Sequence, residues 1–527
     1  NCRRRDIVSY VLQHESLLPT QTVFEALLFS AQLRSPRSWT RQMITDRVFE
    51  VLVDLGIQHL ADRRIGSPET GGISGGERKR VAIGVELVSQ PGLLLLDEPT
   101  SGLDSHSADA LIKTLRVVAS RGCACVFSIH QIPARFLPRF DRVLLLTRHG
   151  ALAFFGKPAD CLQHMAQIGF PLPKKDVNPA EFLLEVASTL ASSIPNGNGD
   201  HDGKDGQTNE SSGFRLGGSS GTELGSESVC DVVALRWVNS PSETALRRDI
   251  QHSLSHERSQ EDLPAMVHPG VHIDPRPTQA WVRQLKLLLQ RSIQHQARDL
   301  SLLLSHLIVT GGVALALGLI FFQLDNRIPG TQNRIGILFF IVIFFSLTSM
   351  SALELFVRWR EDYWREQTAG YYSASAYYVA RVLCDIVPLR LLPSLVFSLI
   401  LYRMVGLRQE YDAFLLFILL IVLINTTATS LCYVMSAICS SVSQANFVAV
   451  IILMFGMLFG GLLLSNKTDT GLGLSYLQFT SFFHYAYEAL VVNEFSGLFL
   501  VFNAQGFPDV IIRGEVVLQN FGKRRVF

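Results

Sequence analysis

Ser74, Gly75, Gly76 and Glu77 stand side by side, and one helix-length later Asp97 and Glu98 follow directly on a run of four leucines. Residues of these types at this spacing suit phosphate chemistry. Locally, Ser74-x-x-Glu77 reads as a capping box, the serine capping a helix and the glutamate folding back on it. That leaves Gly75-Gly76 unexplained, because glycine weakens a helix start unless some group must approach the backbone closely. Bare N–H groups at a helix N-terminus bind anions, so the approaching group is expected to be a phosphate. The four leucines read as a strand buried on both faces, with Asp97 and Glu98 at its C-terminal edge, where ligands of open α/β sheets gather. There Asp97 is placed to hold Mg²⁺, directly or through water, and Glu98 to polarise an attacking water.

Such groups need a scaffold. Over residues 1–189, β-type runs such as "LLLLD" and "CACVFSIH" alternate with helical patterns such as "MITDRVFEVLVDLG" and "SADALIKTLRVVAS". That alternation predicts an α/β domain with a largely parallel sheet covered by helices. Residues 190–277 turn to Gly, Ser, Asn, Asp and Glu, a composition that predicts a disordered linker. Residues 278–299 form an amphipathic pattern, with Trp281, Leu285, Leu288 and Leu289 on one face and Arg283, Lys286, Arg291 and Arg298 elsewhere. It predicts a connecting helix, either at the membrane interface or packed on the soluble domain.

At 527 residues the chain exceeds one ordinary domain, and 48% hydrophobic residues with a mean hydropathy of +0.25 exceed a purely soluble one. Five apolar spans are expected at 300–324, 335–357, 386–405, 413–438 and 445–464. Each is near the ~20 residues that a helix needs to cross a bilayer. A net charge of +1 implies no nucleic-acid partner. The eight cysteines contain no C-x-x-C pair and no zinc spacing, which argues for reduced thiols. With the soluble part in the cytosol, the arginines Arg358, Arg360, Arg365 and Arg381 after the second span also lie inside, as the positive-inside tendency expects. Residues 465–527 then lie outside, where the sequon at Asn466 is a candidate glycosylation site. Glu354, near the inner end of a span, is expected to pair with a cytosolic arginine.

The strings "ISGGERKR", "LLLLDEP" and "SGLDS", with His130 in "VFSIHQ" and Gln13 upstream in "YVLQHE", occur in one compact order. In this the chain resembles the nucleotide-binding domain of ATP-binding cassette proteins: signature motif, Walker B, D-loop, H-loop and Q-loop. The resemblance implies ATP and Mg²⁺ as cofactors. It implies that Ser74, Gly75 and Gly76 cap the γ-phosphate of ATP held by a partner subunit and that Asp104 communicates across that interface. His130 would contact the γ-phosphate near Glu98, and Gln13 would sense Mg²⁺ and the attacking water. No G-x-x-x-x-G-K-[ST] string is present. The simplest expectation is a cassette whose start is cut, and a chain that as written does not bind ATP well alone.

Cassette first and spans second is the order of the G subfamily, the White/Brown-complex half-transporters. "NPAEFLLEVAS", "SALELFVRWREDYWRE", "GYYSASAYYVAR", "PLRLLPS" and "YEALVVNEFSG" support that resemblance, and the membrane half is most similar to the breast cancer resistance protein type. The implied fold is a truncated cassette ATPase followed by a helical exporter domain of the G-subfamily kind, working as a homo- or heterodimer, with the plasma membrane as its expected location. Carried over by position, Phe344, Leu347, Val450, Met454 and Met457 would line a central cavity and Leu462 and Leu463 would plug its exit. Leu347 stands where the multidrug members have an aromatic, which puts planar polyaromatic cargo in doubt. The outer cysteines of that type are absent here, so no disulfide between subunits is expected. The tail resembles the segment before a sixth span, which implies an end cut short as well. The implied function is ATP-driven export of lipophilic or amphipathic compounds; the alternative is a catalytically silent partner in a heterodimer.

Overall fold

The computed structural model describes residues 8–13, 17–67, 71–130, 133–147, 150–172, 177–188, 279–461, 474–502 and 510–520, with scattered positions within 237–251. In the soluble half, β1 (Val8–Val11), β4 (Leu93–Leu96) and β5 (Ala124–Phe127) form a parallel sheet in the order β1-β4-β5. The two-residue strands β2 (Gly66–Ser67) and β3 (Gly71–Gly72) pair as a small hairpin ahead of the signature serine. Val11, Leu96 and Phe127 share one register position, so the residues that follow each strand emerge at the same edge.

One face of the sheet is closed by α1 (Val23–Arg34), α2 (Arg41–Asp54), α3 (Gly75–Leu87) and α4 (Ser105–Ser120). The helices start where the sequence supplies caps: Thr22 with Glu25 for α1 and Ser74 with Glu77 for α3, each a complete capping box. The expectation that β4 is buried on both faces is corrected here. Leu94 and Leu96 are buried, whereas Leu93 and Leu95 are only half-buried and Tyr10 and Val126 on the neighbouring strands are exposed. The reason is strand geometry: alternate residues point to opposite faces, and the helices cover one of them.

A second layer pairs β6 (Val143–Leu146) with β7 (Leu152–Gly156) against α5 (Pro158–Gln167) and α6 (Pro179–Ser188). Its core includes Trp237, fully buried with ring centroids 5.2 Å from Phe154 and 5.3 Å from His164. This corrects the reading of 190–277 as linker throughout. Average composition conceals a single large aromatic whose burial outweighs its ordering entropy.

The connecting helix, Trp281–Arg298, buries Gln284 and Leu288 and packs against the membrane-side helix Ala374–Asp385. Its other contacts reach the soluble half, where Arg298 grips Glu25 through two bonds of 2.5 and 2.6 Å. The helix thus touches both halves, while Val282 and Ile293 stay exposed.

Among the described residues, four helices are long and apolar enough to cross a membrane: Ser301–Ile320, Ile328–Glu354, Ala374–Val405 and Tyr411–Ile438. Where a fifth span is expected at 445–464, the helix is Val442–Leu458, 17 residues or about 25 Å at 1.5 Å per residue, shorter than a bilayer core. The third starts at Ala374, earlier than expected, because its polar inner end is helical too; it passes through a π-helical stretch at Ile386–Leu391. Beyond the spans, the helix Phe482–Phe495 returns into the apolar core through Phe483, Tyr487, Leu490 and Phe495. Buried ionic groups there were not foreseen: Arg334 pairs with Glu494, and Arg390 with Asp385 at 3.1 Å. Glu354 is exposed. Asn425, which also begins a sequon, is buried and accepts from Ser349 at 3.0 Å.

Candidate functional site

The common edge of β1, β4 and β5 gathers Gln13, Asp97, Glu98 and His130. Gln13 Nε2 donates to Glu98 Oε2 at 2.8 Å. Tyr10 donates its hydroxyl to Asp97 Oδ2 at 3.2 Å and Ser128 donates to Asp97 Oδ1 at 2.8 Å. The Ser128 hydroxyl in turn accepts the Glu98 backbone N–H at 2.8 Å, so one side chain ties both carboxylate residues to β5. Burial, and then Asp97, raise the Tyr10 phenol above its ordinary value, which keeps it protonated as a donor. Glu98 sits at φ +40°, a left-handed conformation that costs about 1–2 kcal/mol for a side chain of this kind. The two hydrogen bonds hold it there, and strain maintained at a sheet edge marks a positioned group. His130 lies just past the end of β5 and is exposed.

Ser74 begins α3 with φ and ψ in the extended region, its hydroxyl accepting from the Glu77 N–H at 3.3 Å while Glu77 Oε2 accepts from the Ser74 N–H at 2.8 Å. Burial works against the Glu77 charge, yet the hydrogen bonds from Ser74 outweigh it and hold the carboxyl below its ordinary value. The paired glycines differ in their reasons. A Cβ on Gly76 would stand 3.0 Å from Ser107 Cβ, so close packing of α3 on α4 requires glycine there. A Cβ on Gly75 would meet only Leu103 at 3.8 Å, an ordinary contact on an exposed position. Packing therefore accounts for Gly76 and leaves Gly75 to close approach from outside. Asp104 caps α4, accepting from the N–H groups of His106 and Ser107 at 3.0 and 3.2 Å; the Ser107 side chain first, and then these bonds, lower its carboxyl. The starts of α3 and α4 thus meet at Gly76 and Ser107.

Two further links were not read from the sequence. Lys79 of α3, buried, donates to the backbone carbonyl of Gln13, which joins the signature helix to the edge loop. At the far end of α3, Glu86 pairs with Arg34 at 2.7 Å, and Tyr371 of the membrane half donates to Glu86 at 3.3 Å. Burial works against the Arg34 charge, but Glu86 outweighs it and keeps the guanidinium firmly protonated. The only sequence signals for these partners were a Lys, a Glu and a Tyr with no local pattern.

Among the described residues, no hydrogen bond or ion pair joins Ser74, Gly75 and Gly76 to Asp97 and Glu98. The two sets form separate half-sites within one chain. Among the described residues, no three His, Cys, Asp or Glu side chains are placed to hold a metal ion, so a divalent cation here would rest on Asp97, the Gln13 amide oxygen and the oxygens of a phosphate ligand.

The tentative cavity residues scatter. Phe344 packs inward, stacked on Phe397 at 5.6 Å and edge-on to Phe345 at 5.3 Å. Leu347 and Met454 are exposed, and Val450 and Met457 half-buried. Leu462, Leu463 and Asn466 lie outside the described residues.

Comparison with known proteins gives two family matches: residues 1–101 match the ABC transporter model and residues 283–495 the ABC-2 type transporter model. The broad substrate specificity ATP-binding cassette transporter ABCG2 of Mus musculus is 33% identical over 488 residues, 93% of this chain and 71% of that protein. A probable ATP-dependent permease of Saccharomyces cerevisiae is 30% identical over 98% of this chain and 52% of its own length. ABC transporter G family member 22 of Arabidopsis thaliana is 31% identical over 98% of this chain and 67% of its own length.

Proposed function

We infer the function of this chain from its family: it belongs to the ATP-binding cassette transporters of the G type, membrane proteins whose nucleotide-binding part precedes their spans. Transport across a membrane coupled to ATP is the activity of that family. Within it, this chain acts as a half-transporter that exports lipophilic or amphipathic compounds after dimerising with a second half. The observation that carries the dimeric reading is the separation of the two half-sites. Among the described residues Ser74 bonds to Glu77 of its own helix and to no group of the sheet edge, and it and Gly75 are exposed, which suits a clamp on nucleotide held by a partner.

In this mechanism Glu98 accepts a proton from the attacking water, and its left-handed backbone aims the carboxylate at the edge. Gln13 orients that carboxylate through its 2.8 Å bond, and Asp97, fixed by Tyr10 and Ser128, would hold the cation. Mg²⁺, when bound, neutralises phosphate charge. His130 contributes a donor to the terminal phosphoryl group. The Ser74 hydroxyl and the free N–H groups at the start of α3 supply anion contacts from the opposite subunit. Movement of α3 then reaches the membrane half through Glu86, Arg34 and Tyr371.

Leu347, Val450, Met454 and Met457 form the wall offered to cargo between two copies; the name of the mouse relative supports broad specificity, and Leu347 argues for aliphatic rather than stacked contact. The soluble half faces the cytosol and the plasma membrane is the location. Vanadate-sensitive ATPase activity of the dimer in lipid, screened with lipophilic compounds, tests this. Glu98→Gln is expected to lower it about 10²- to 10⁴-fold. Hydrolysis equal to the parent's would remove Glu98 from its role.

A further inference from the structure

Where the soluble half, the connecting helix and the third span meet, a cavity of about 10 Å³ is lined by Arg291, Ser292, His295, Trp359, Tyr377 and Arg381, among others. We propose that it is a binding site for one monatomic anion of chloride size, with the Arg381 guanidinium as its principal partner.

Arg381 stands apart from the other cations around the cavity. Arg291 is matched by Glu366 through bonds of 2.6 and 2.9 Å, and Asp385, the next carboxylate along the helix, is taken by Arg390. Arg298 is matched by Glu25. Among the described residues, no carboxylate lies within ion-pair distance of Arg381. Its Nη2 is buried without a hydrogen-bond partner, and its guanidinium lies over the Trp359 ring at 3.9 Å. A ring face offsets only part of the cost of a buried cation. Burial, and then Arg381 itself, hold His295 below its ordinary value, so the imidazole brings no competing positive charge, and its Nδ1 is engaged with Thr20 at 2.7 Å.

Size selects the guest. The cavity is small, so a single compact guest fits it better than a branched oxyanion. A neutral water satisfies an N–H but leaves the charge uncompensated; a halide does both. Because Leu18 of the soluble half, Leu288 of the connecting helix and Ala380 of the third span share its walls, the anion ties three parts of the molecule together.

The test is anomalous scattering from bromide-soaked crystals of the full protein, with unfolding midpoints in lipid measured in chloride and in gluconate at equal ionic strength. The expected result is one bromide peak beside Arg381, a midpoint that rises with chloride, and loss of both in Arg381→Met. Arg381→Lys, which keeps the charge, should retain the response with an affinity roughly tenfold weaker, since it lacks the planar fork. Should the variants not fold, the parent decides alone. No bromide peak at Arg381, a midpoint indifferent to the anion, or density running on into the bilayer as a lipid phosphate would each overturn the proposal.

Discussion

Gln13 and Glu98 are joined by a 2.8 Å hydrogen bond across the ends of β1 and β4, strands that are distant in sequence and adjacent in the sheet. The bond is solvent-exposed, so its worth lies in aiming the carboxylate rather than in stability. Gln13→Ala is expected to reduce ATP turnover about tenfold, the equivalent of one hydrogen bond to a charged group at ~1.5 kcal/mol, with an unchanged unfolding midpoint. Steady-state hydrolysis beside a thermal melt checks both halves. Unaltered turnover would detach Gln13 from catalysis.

The glycine pair separates packing from ligand approach. Gly76→Ala forces a Cβ to 3.0 Å from Ser107 Cβ and should destabilise by about 1–3 kcal/mol. Gly75→Ala has room and should hold or slightly raise stability, by up to ~1 kcal/mol from helix propensity, while lowering nucleotide turnover. The melts of the two variants should move in opposite senses, and an ATPase assay should show the loss of turnover in Gly75→Ala. If Gly75→Ala leaves turnover intact, the close-approach argument fails.

Arg34 and Glu86 form a buried pair whose side chains are 2% and 11% exposed. Removing one partner leaves the other charge buried, so Glu86→Ala should cost about 3–5 kcal/mol in chemical denaturation. Tyr371→Phe removes only a hydroxyl at the edge of that network and should be far milder in stability, yet it should weaken the dependence of ATPase activity on transported compounds. Full stimulation by such compounds in Tyr371→Phe would count against a path through this residue.

Burial holds His164 below its ordinary value. In the window below ~6.5 the unfolded chain therefore binds a proton that the folded chain resists. Stability of this layer is fully present above that window and falls as pH drops through it. His164→Phe should flatten the pH dependence of the melting of this layer and keep Trp237 buried, readable as a blue-shifted indole emission. A parent whose melting is level from pH 7.5 to about 5.5 would contradict the sign.

Phe344 and Leu347 were read as one cavity wall, but they face different surroundings. Phe344→Ala should destabilise by about 2 kcal/mol, roughly half the value for a fully buried phenylalanine. Leu347→Ala should stay within about 0.5 kcal/mol and instead change which compounds stimulate ATPase activity. Equal stability losses in both variants would place Leu347 in the packed core as well.

Motifs and hydropathy were enough to find the cassette, the order of the two halves and most of the spans, because capping boxes, strand-end carboxylates and long apolar runs are local or periodic signals. The Ser74 cap and the Asp97-Glu98 edge stand where those signals put them. What no local pattern carried is pairing between distant elements. Ser128 bridging Asp97 and Glu98, Lys79 holding the Gln13 carbonyl and Trp237 returning to Phe154 each depend on which surfaces the sheet and helices bring together. The same holds in the membrane, where Arg334 meets Glu494 and Arg390 meets Asp385. A charge in an apolar run signals its cost in the sequence; which partner offsets that cost is decided only when the helices pack.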